Sequence, residues 1–272
     1  MNRIKTTFEL VKKKSERALI GFITAGDPDF DMSLELIKQM CSSGLDMLEL
    51  GIPFSDPTAD GPVIQRSSAR AIKNGMNLAI VLEMAAQIRR ITQIPIILFS
   101  YYNPVHAYGA ENFYNDSVKA GVDGVLIVDL PPEESREMTS KWAGDDLSLI
   151  RLIAPTTPLS RMKEISDSGS GFLYLVSKTG VTGSGGLDTA NIENQVNDLR
   201  SFTNHPICVG FGISTPKEVE AISNIADGIV VGSAFERLIE SNLENRKLPL
   251  MMGKKITEYK EATKMKQTIG PD

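Results

Sequence analysis

The chain has 272 residues, 42% of them hydrophobic, and a formal net charge of −5. That acidic balance argues against nucleic acid or an anionic membrane as the main partner, and no apolar run reaches the ~18 residues of a spanning helix. The N-terminus lacks the apolar region of a signal peptide, and Cys41 and Cys208 stand in no paired spacing, so reduced thiols in a cytoplasmic protein are expected instead of a disulfide framework.

In chain order, Lys12-Lys13-Lys14 reads as the solvated face of an N-terminal helix. Eight short apolar runs follow, predicted as strands at 19–24, 45–50, 94–99, 124–128, 148–153, 171–176, 206–209 and 228–231. A helix-like segment follows each. Met32, Leu36, Ile37, Met40 and Cys41 fit one face of a 3.6-residue period, as do Leu78, Val81, Leu82, Ala85 and Ile88. Thr215-Pro216 is an N-cap followed by proline at the first helical position. From about Glu240 the chain is charged and reads as a terminal helix with a polar tail. Eight βα units with no break in composition predict a single-domain (β/α)8 TIM barrel over 1–272.

Strand two carries the most informative residue. If 45–50 is extended, Glu49 shares a face with Leu45 and Met47, while Leu48 and Leu50 point the other way. Both faces are apolar, as in a parallel strand covered on each side. A carboxylate there is costly unless it is paired, protonated or used. It is either a buried charge satisfied by a local partner or an acid–base group. Asp60, eleven residues on in the Pro/Gly-rich loop, favours the second reading.

In such a barrel the site forms at the C-terminal strand ends, which brings Glu49, Asp60, Asp129 and Tyr174 to one mouth. Tyr174 shares parity with Phe172 and Val176 and reads equally as a core or a site residue. Asp129 is a helix N-cap or a ligand contact. Glycines after strand seven (Gly210, Gly212) and strand eight (Gly232, before Ser233) let backbone amides approach an anion at a helix N-terminus. The glycine-rich stretch 179–186 after strand six is long enough for a lid. His106 and His205 with no Cys cluster argue against a zinc site. No lysine other than Lys178 comes near a strand end to form a Schiff base, and there is no G-x-S-x-G elbow.

Gly21-Phe22-Ile23-Thr24-Ala25-Gly26-Asp27-Pro28, Glu49-Leu50-Gly51-Ile52-Pro53-Phe54-Ser55-Asp56-Pro57 and Ala59-Asp60-Gly61-Pro62-Val63-Ile64-Gln65 are the leading motifs, those of strand two and its loop being highly specific. Tyr101-Tyr102-Asn103-Pro104, Asp129-Leu130-Pro131, Thr179-Gly180-Val181-Thr182-Gly183, Gly210-Phe211-Gly212-Ile213-Ser214 and Gly232-Ser233-Ala234 follow in order. Together they resemble the tryptophan synthase alpha chain over residues 8–240. The resemblance implies retro-aldol cleavage of indole-3-glycerol phosphate to indole and glyceraldehyde 3-phosphate. It assigns Glu49 to proton transfer at indole C3 and the glycerol hydroxyl, and Asp60 to the ring N–H. It surrounds the indole with Phe22, Tyr101, Leu126, Tyr174 and Phe211, lets Thr182 close onto Asp60, and puts the phosphate on Gly183, Gly212, Gly232 and Ser233. It implies no cofactor or metal in this chain. A beta chain carrying pyridoxal phosphate would dock over loops two and six in an α2β2 assembly and receive the indole. The competing readings are another phosphosugar-binding barrel and a catalytically weak subunit that activates its partner. The presence of both carboxylates weighs against each.

Overall fold

The computed structural model describes residues 2–144, 146–177 and 187–265. Ahead of the barrel, α1 (Arg3–Lys13) starts at Asn2, whose side chain accepts from the Lys5 amide. Then come β1 (Ala18–Thr24), α2 (Phe30–Ser42), β2 (Met47–Gly51), α3 (Pro62–Lys73), α4 (Leu78–Ile91), β3 (Ile96–Ser100), α5 (Tyr102–Tyr108), α6 (Ala110–Ala120) and β4 (Gly124–Ile127). The second half runs α7 (Pro132–Thr139), β5 (Ser148–Ile153), α8 (Leu159–Asp167), β6 (Leu173–Val176), α9 (Thr189–Arg200), β7 (Ile207–Gly210), α10 (Pro216–Ser223), β8 (Gly228–Val231), α11 (Ser233–Glu240) and α12 (Leu248–Ala262). The strands pair in parallel in chain order, and β8 closes on β1. This is the (β/α)8 barrel the sequence predicts.

Alternation along each strand sorts side chains into two layers. Ile20, Phe22, Met47, Ile97, Phe99 and Tyr174 are among those that fill the barrel interior. Leu19, Ile23, Leu48, Leu50 and Leu98 face out to the helices. Both layers are buried, which is why the strands read as nearly continuous apolar runs. The helices answer with the expected faces: Leu36, Ile37 and Met40 of α2, and Val81, Leu82, Ala85 and Ile88 of α4. Thr215 caps α10 in a capping box with Glu218, and Pro216 opens the helix.

Strand two differs from its expected start. Leu45 precedes β2 and packs in the outer layer with Leu48 and Leu50, whereas Met47 is interior. The chain is still turning at Gly44 (φ +104°), and Asp46 accepts from the Leu19 amide and Lys260 Nζ at 2.8 and 2.7 Å. Leu45 therefore does not share a face with Glu49. The strands expected from 94, 171 and 206 begin at Ile96, Leu173 and Ile207. Pro95 and Pro206 have no amide to give a ladder, and Gly171 sits at φ +80°. The charged stretch after Glu240 does form a terminal helix, α12. It is built into the helical ring against α2, α10 and α11, with Met252, Ile256 and Tyr259 buried. The polar tail at 266–272 lies outside the described residues.

Candidate active site

Glu49 sits near the C-terminal end of β2, paired with Phe22 of β1 and Ile97 of β3. Only 1% of its surface is exposed. Its Oε1 has no hydrogen-bond partner among the described residues, so the reading as a charge satisfied by a local partner has no support. Burial alone pushes its pKa up to about 8, because the apolar barrel disfavours the charged form. At neutral pH Glu49 is a carboxylic acid with a proton to give.

Asp60 reaches the same cavity from the β2–α3 loop. The Tyr101 hydroxyl donates to its Oδ2 at 3.0 Å and accepts from the Ala59 amide at 2.9 Å. Gln65 Nε2 donates to the Asp60 carbonyl at 2.9 Å, and the Asp60 amide donates to Pro57 O at 3.0 Å. Burial raises its pKa to about 6, against the Tyr101 bond, which lowers it. Two carboxyls thus face one cavity with their pKa values pushed apart, the arrangement that separates an acid from a base at pH 7.

The cavity holds about 250 Å3 and is walled by Phe22, Phe99, Tyr174, Phe211, Ile64 and Val230. Tyr174 and Phe211 meet edge-on with centroids 6.0 Å apart, and Phe22 and Phe99 likewise at 5.3 Å. Gly212, Gly232 and Ser233 also line it. Gly232 stands at the start of α11 and gives no side-chain cap, so the first-turn amides have no side-chain acceptor there. A Cβ on Gly232 would lie 3.1 Å from Phe22 Cβ. Phe211 (φ +78°) and Gly212 (φ +80°) are both left-handed, a costly state for an aromatic residue. The Ser177 hydroxyl holds that turn by bonding the carbonyls of Gly210 and Phe211 at 2.8 and 2.6 Å.

The expected residues do not all converge on the cavity. Glu49, Asp60, Phe22, Tyr174, Phe211, Gly212, Gly232 and Ser233 come together around one cavity. Tyr101 holds Asp60 from beside it, and Leu126 is fully buried in the barrel interior without bordering the cavity. Lys178, Thr182 and Gly183 lie outside the described residues. Asp129 proves to be a cap, though for a neighbouring helix: its Oδ1 accepts from the amide of Tyr102, the first residue of α5, at 2.7 Å. The sequence reading missed Phe99, Ile64, Val230 and Arg237 among the lining residues. Phe99 was accessible from its parity with Ile97. Arg237 was accessible from its place one turn after Ser233 on α11, and it makes no ion pair among the described residues. Those residues hold no cluster of three or more His, Cys, Asp or Glu suited to a metal. Nor do they hold a helix long and apolar enough to cross a membrane.

A family model described as "Tryptophan synthase alpha chain" matches residues 8–269. The tryptophan synthase alpha chain of Desulfatibacillum aliphaticivorans is 60% identical over 97% of this chain and 98% of its own length. That of Desulfosudis oleivorans is 59% identical over 97% of this chain and all of its own. Among solved structures, tryptophan synthase subunit alpha from Legionella pneumophila superposes with a TM-score of 0.88 at 36% identity, covering 97% of this chain and 98% of its own.

Proposed function

The chain belongs to the tryptophan synthase alpha chain family, and on that footing we propose that Glu49 and Asp60 divide the family's chemistry between them. The enzyme is a carbon–carbon lyase of tryptophan biosynthesis that cleaves indole-3-glycerol phosphate to indole and D-glyceraldehyde 3-phosphate. Neutral Glu49 donates its proton to C3 of the indole ring, leaving a cationic ring nitrogen and a Glu49 carboxylate. The Asp60 carboxylate accepts the hydrogen bond from that N–H and stabilises the charge. Glu49 then takes the proton of the adjacent glycerol hydroxyl as the C3–carbon bond breaks. The bonding pair returns to the ring, the hydroxyl carbon becomes the aldehyde, and Glu49 ends protonated as it began. The ring itself is the electron sink.

The observation that carries this reading is the buried, unpartnered Glu49 sharing one cavity with Asp60. The apolar walls suit an indole. The uncapped start of α11, with Gly212, Gly232 and Ser233, suits the phosphate. Thr182 and Gly183 are assigned by family likeness alone. The same likeness assigns a beta chain carrying pyridoxal phosphate as the partner, in an α2β2 assembly that receives the indole. The exposed Ser55, Asp56, Thr58 and Ala59, on the loop that carries Asp60, are where such a partner would touch the catalytic machinery. Product analysis tests the acid–base assignment. Wild type should release indole from indole-3-glycerol phosphate, and Glu49→Gln should lose about 10²–10⁴-fold in turnover while still binding indolepropanol phosphate. Near-normal cleavage by Glu49→Gln would overturn it.

A further inference from the structure

Behind the phosphate end of the cavity, α11 buries a second carboxyl. Glu236 is fully buried. Its Oε1 accepts from the amide of Thr24, the last residue of β1, at 2.6 Å, and its Oε2 has no donor among the described residues. Within hydrogen-bond reach lies Asp27, also fully buried, in the β1–α2 loop. Asp27 is gripped by Arg70 of α3, whose Nε and Nη2 each donate at 2.7 Å. Arg70 Nη1 goes on to Glu240 at 3.1 Å, and Arg66 donates to the same carboxylate at 2.6 and 2.8 Å.

The cluster therefore combines the carboxyls of Asp27, Glu236 and Glu240 with the guanidiniums of Arg66 and Arg70. With every carboxyl ionised it would carry an excess negative charge, and two acceptors would face each other in the interior without a proton between them. One proton on Glu236 removes both faults: the charges balance, and its hydroxyl becomes the donor that Asp27 lacks on that side. Both oxygens of Asp27 already take bonds from the Arg70 guanidinium. Burial and the adjacent Asp27 both push the Glu236 carboxyl well above the usual range.

The location gives this bridge a consequence for the reaction. Glu236 lies in the first turn of α11, the helix whose amide end lines the cavity at Gly232 and Ser233. Arg70 lies on α3, which starts at Pro62 just after Asp60. Thr24 Oγ1 and Ser67 Oγ of α3 meet at 2.7 Å beside it. We propose that Glu236 is a neutral carboxylic acid bridged to Asp27, and that this bridge, extended by Arg70, positions the phosphate end of α11 and the Asp60 loop relative to each other. Glu236 touches no reacting atom and is a positioning residue. The inference rests on the assignment of Asp60 and the phosphate cradle made above.

Glu236→Gln keeps the shape, an acceptor for Thr24 and a donor for Asp27. Glu236→Leu keeps the bulk and removes both. In the full chain, Glu236→Gln should bind indolepropanol phosphate and turn over within about threefold of wild type, while Glu236→Leu should lose roughly tenfold or more in each. Equal damage from both substitutions, or none from Leu, would overturn the proposal. An infrared difference spectrum reads the proton directly and needs only the foldable Gln variant. In a Glu49→Gln background at pH 9, a neutral-carboxyl band should be present and should vanish on adding Glu236→Gln; its absence beforehand would sink the idea. Failure of wild type to bind the ligand at all would fault the phosphate cradle instead, and the infrared result would still decide the state of Glu236.

Discussion

The Tyr101 hydroxyl donates to Asp60 Oδ2 at 3.0 Å while accepting from the Ala59 amide at 2.9 Å. One side chain at the end of β3 thus fixes both the carboxylate and the backbone of the loop that presents it. Family likeness places Tyr101 against the indole; the geometry adds the work of aiming Asp60.

Tyr101→Phe keeps the ring and removes both bonds. The lost bond is the one that lowers the Asp60 pKa, so that pKa should rise from about 6. On the roles proposed for the two carboxyls, activity needs Asp60 ionised and Glu49 protonated. The wild-type profile of kcat/KM should therefore be bell-shaped, with an acidic limb near 6 from Asp60 and a basic limb near 8 from Glu49. In Tyr101→Phe the acidic limb should move up, the basic limb should stay, and the maximum should fall about tenfold. A profile shifted on both sides, or on neither, would reject the link.

Glu49→Gln should be more stable than wild type as well as inactive. The folded carboxyl holds its proton to about 8 instead of the ordinary glutamate value of 4.5. Between those values the unfolded chain loses the proton first, so the folded state binds more protons and stability falls as pH rises. Glutamine abolishes that loss. Its advantage should be small below pH 4 and grow to at most on the order of 3 kcal/mol at pH 7. Urea midpoints measured from pH 4 to pH 8 check this, and a pH-independent difference would contradict the raised pKa.

The sequence carries some of these residues openly and hides others. Glu49 was legible because a carboxylate inside an apolar strand is conspicuous, and Asp60 because it follows in a loop of prolines and glycines. The barrel was legible because parallel strands buried on both faces read as apolar runs between amphipathic helices. The parity of Leu45 was not, since alternation counts only from where the ladder begins, and Asp46 and Gly44 hold the turn until Met47. The bond from Tyr101 to Asp60 spans 41 positions and exists only once β3 lies beside β2. Glu236 was hidden for the same reason. Thr24 and Asp27 beside it, and the Arg70 that grips Asp27, come from β1, the next loop and α3, so in isolation it reads as an ordinary charge on a helix.

Gly232→Val should damage binding more than folding. A Cβ there already lies 3.1 Å from Phe22 Cβ, and the branched methyls would intrude on the cavity that Gly232 lines. Indolepropanol phosphate should bind at least tenfold more weakly, with a smaller effect on thermal stability. Replacing the ligand phosphate by a neutral group should cost wild type a similar factor and cost the variant little more, since both changes remove one shared contact. Additive losses would mean that the glycine serves only the turn before α11.

A docked beta chain should raise the activity of this chain through the Asp60 loop. Ser55, Asp56, Thr58 and Ala59 are exposed, while the backbone behind them is held by four bonds: Thr58 to Asp56 O, Asp60 to Pro57 O, Ala59 to Tyr101, and Gln65 Nε2 to Asp60 O. If Asp60 acts as proposed, any time its loop spends open is time lost to the reaction. A partner that binds the aligned state more tightly shifts the population toward it without adding a catalytic group. A coupling of about 1–3 kcal/mol would raise turnover roughly 5–150-fold. Amide exchange at Ala59 and Asp60 should slow on complex formation, and Tyr101→Phe should gain less in turnover than wild type does, because its loop has lost the bond that registers alignment. Unchanged exchange at those amides together with unchanged turnover would leave the isolated barrel self-sufficient.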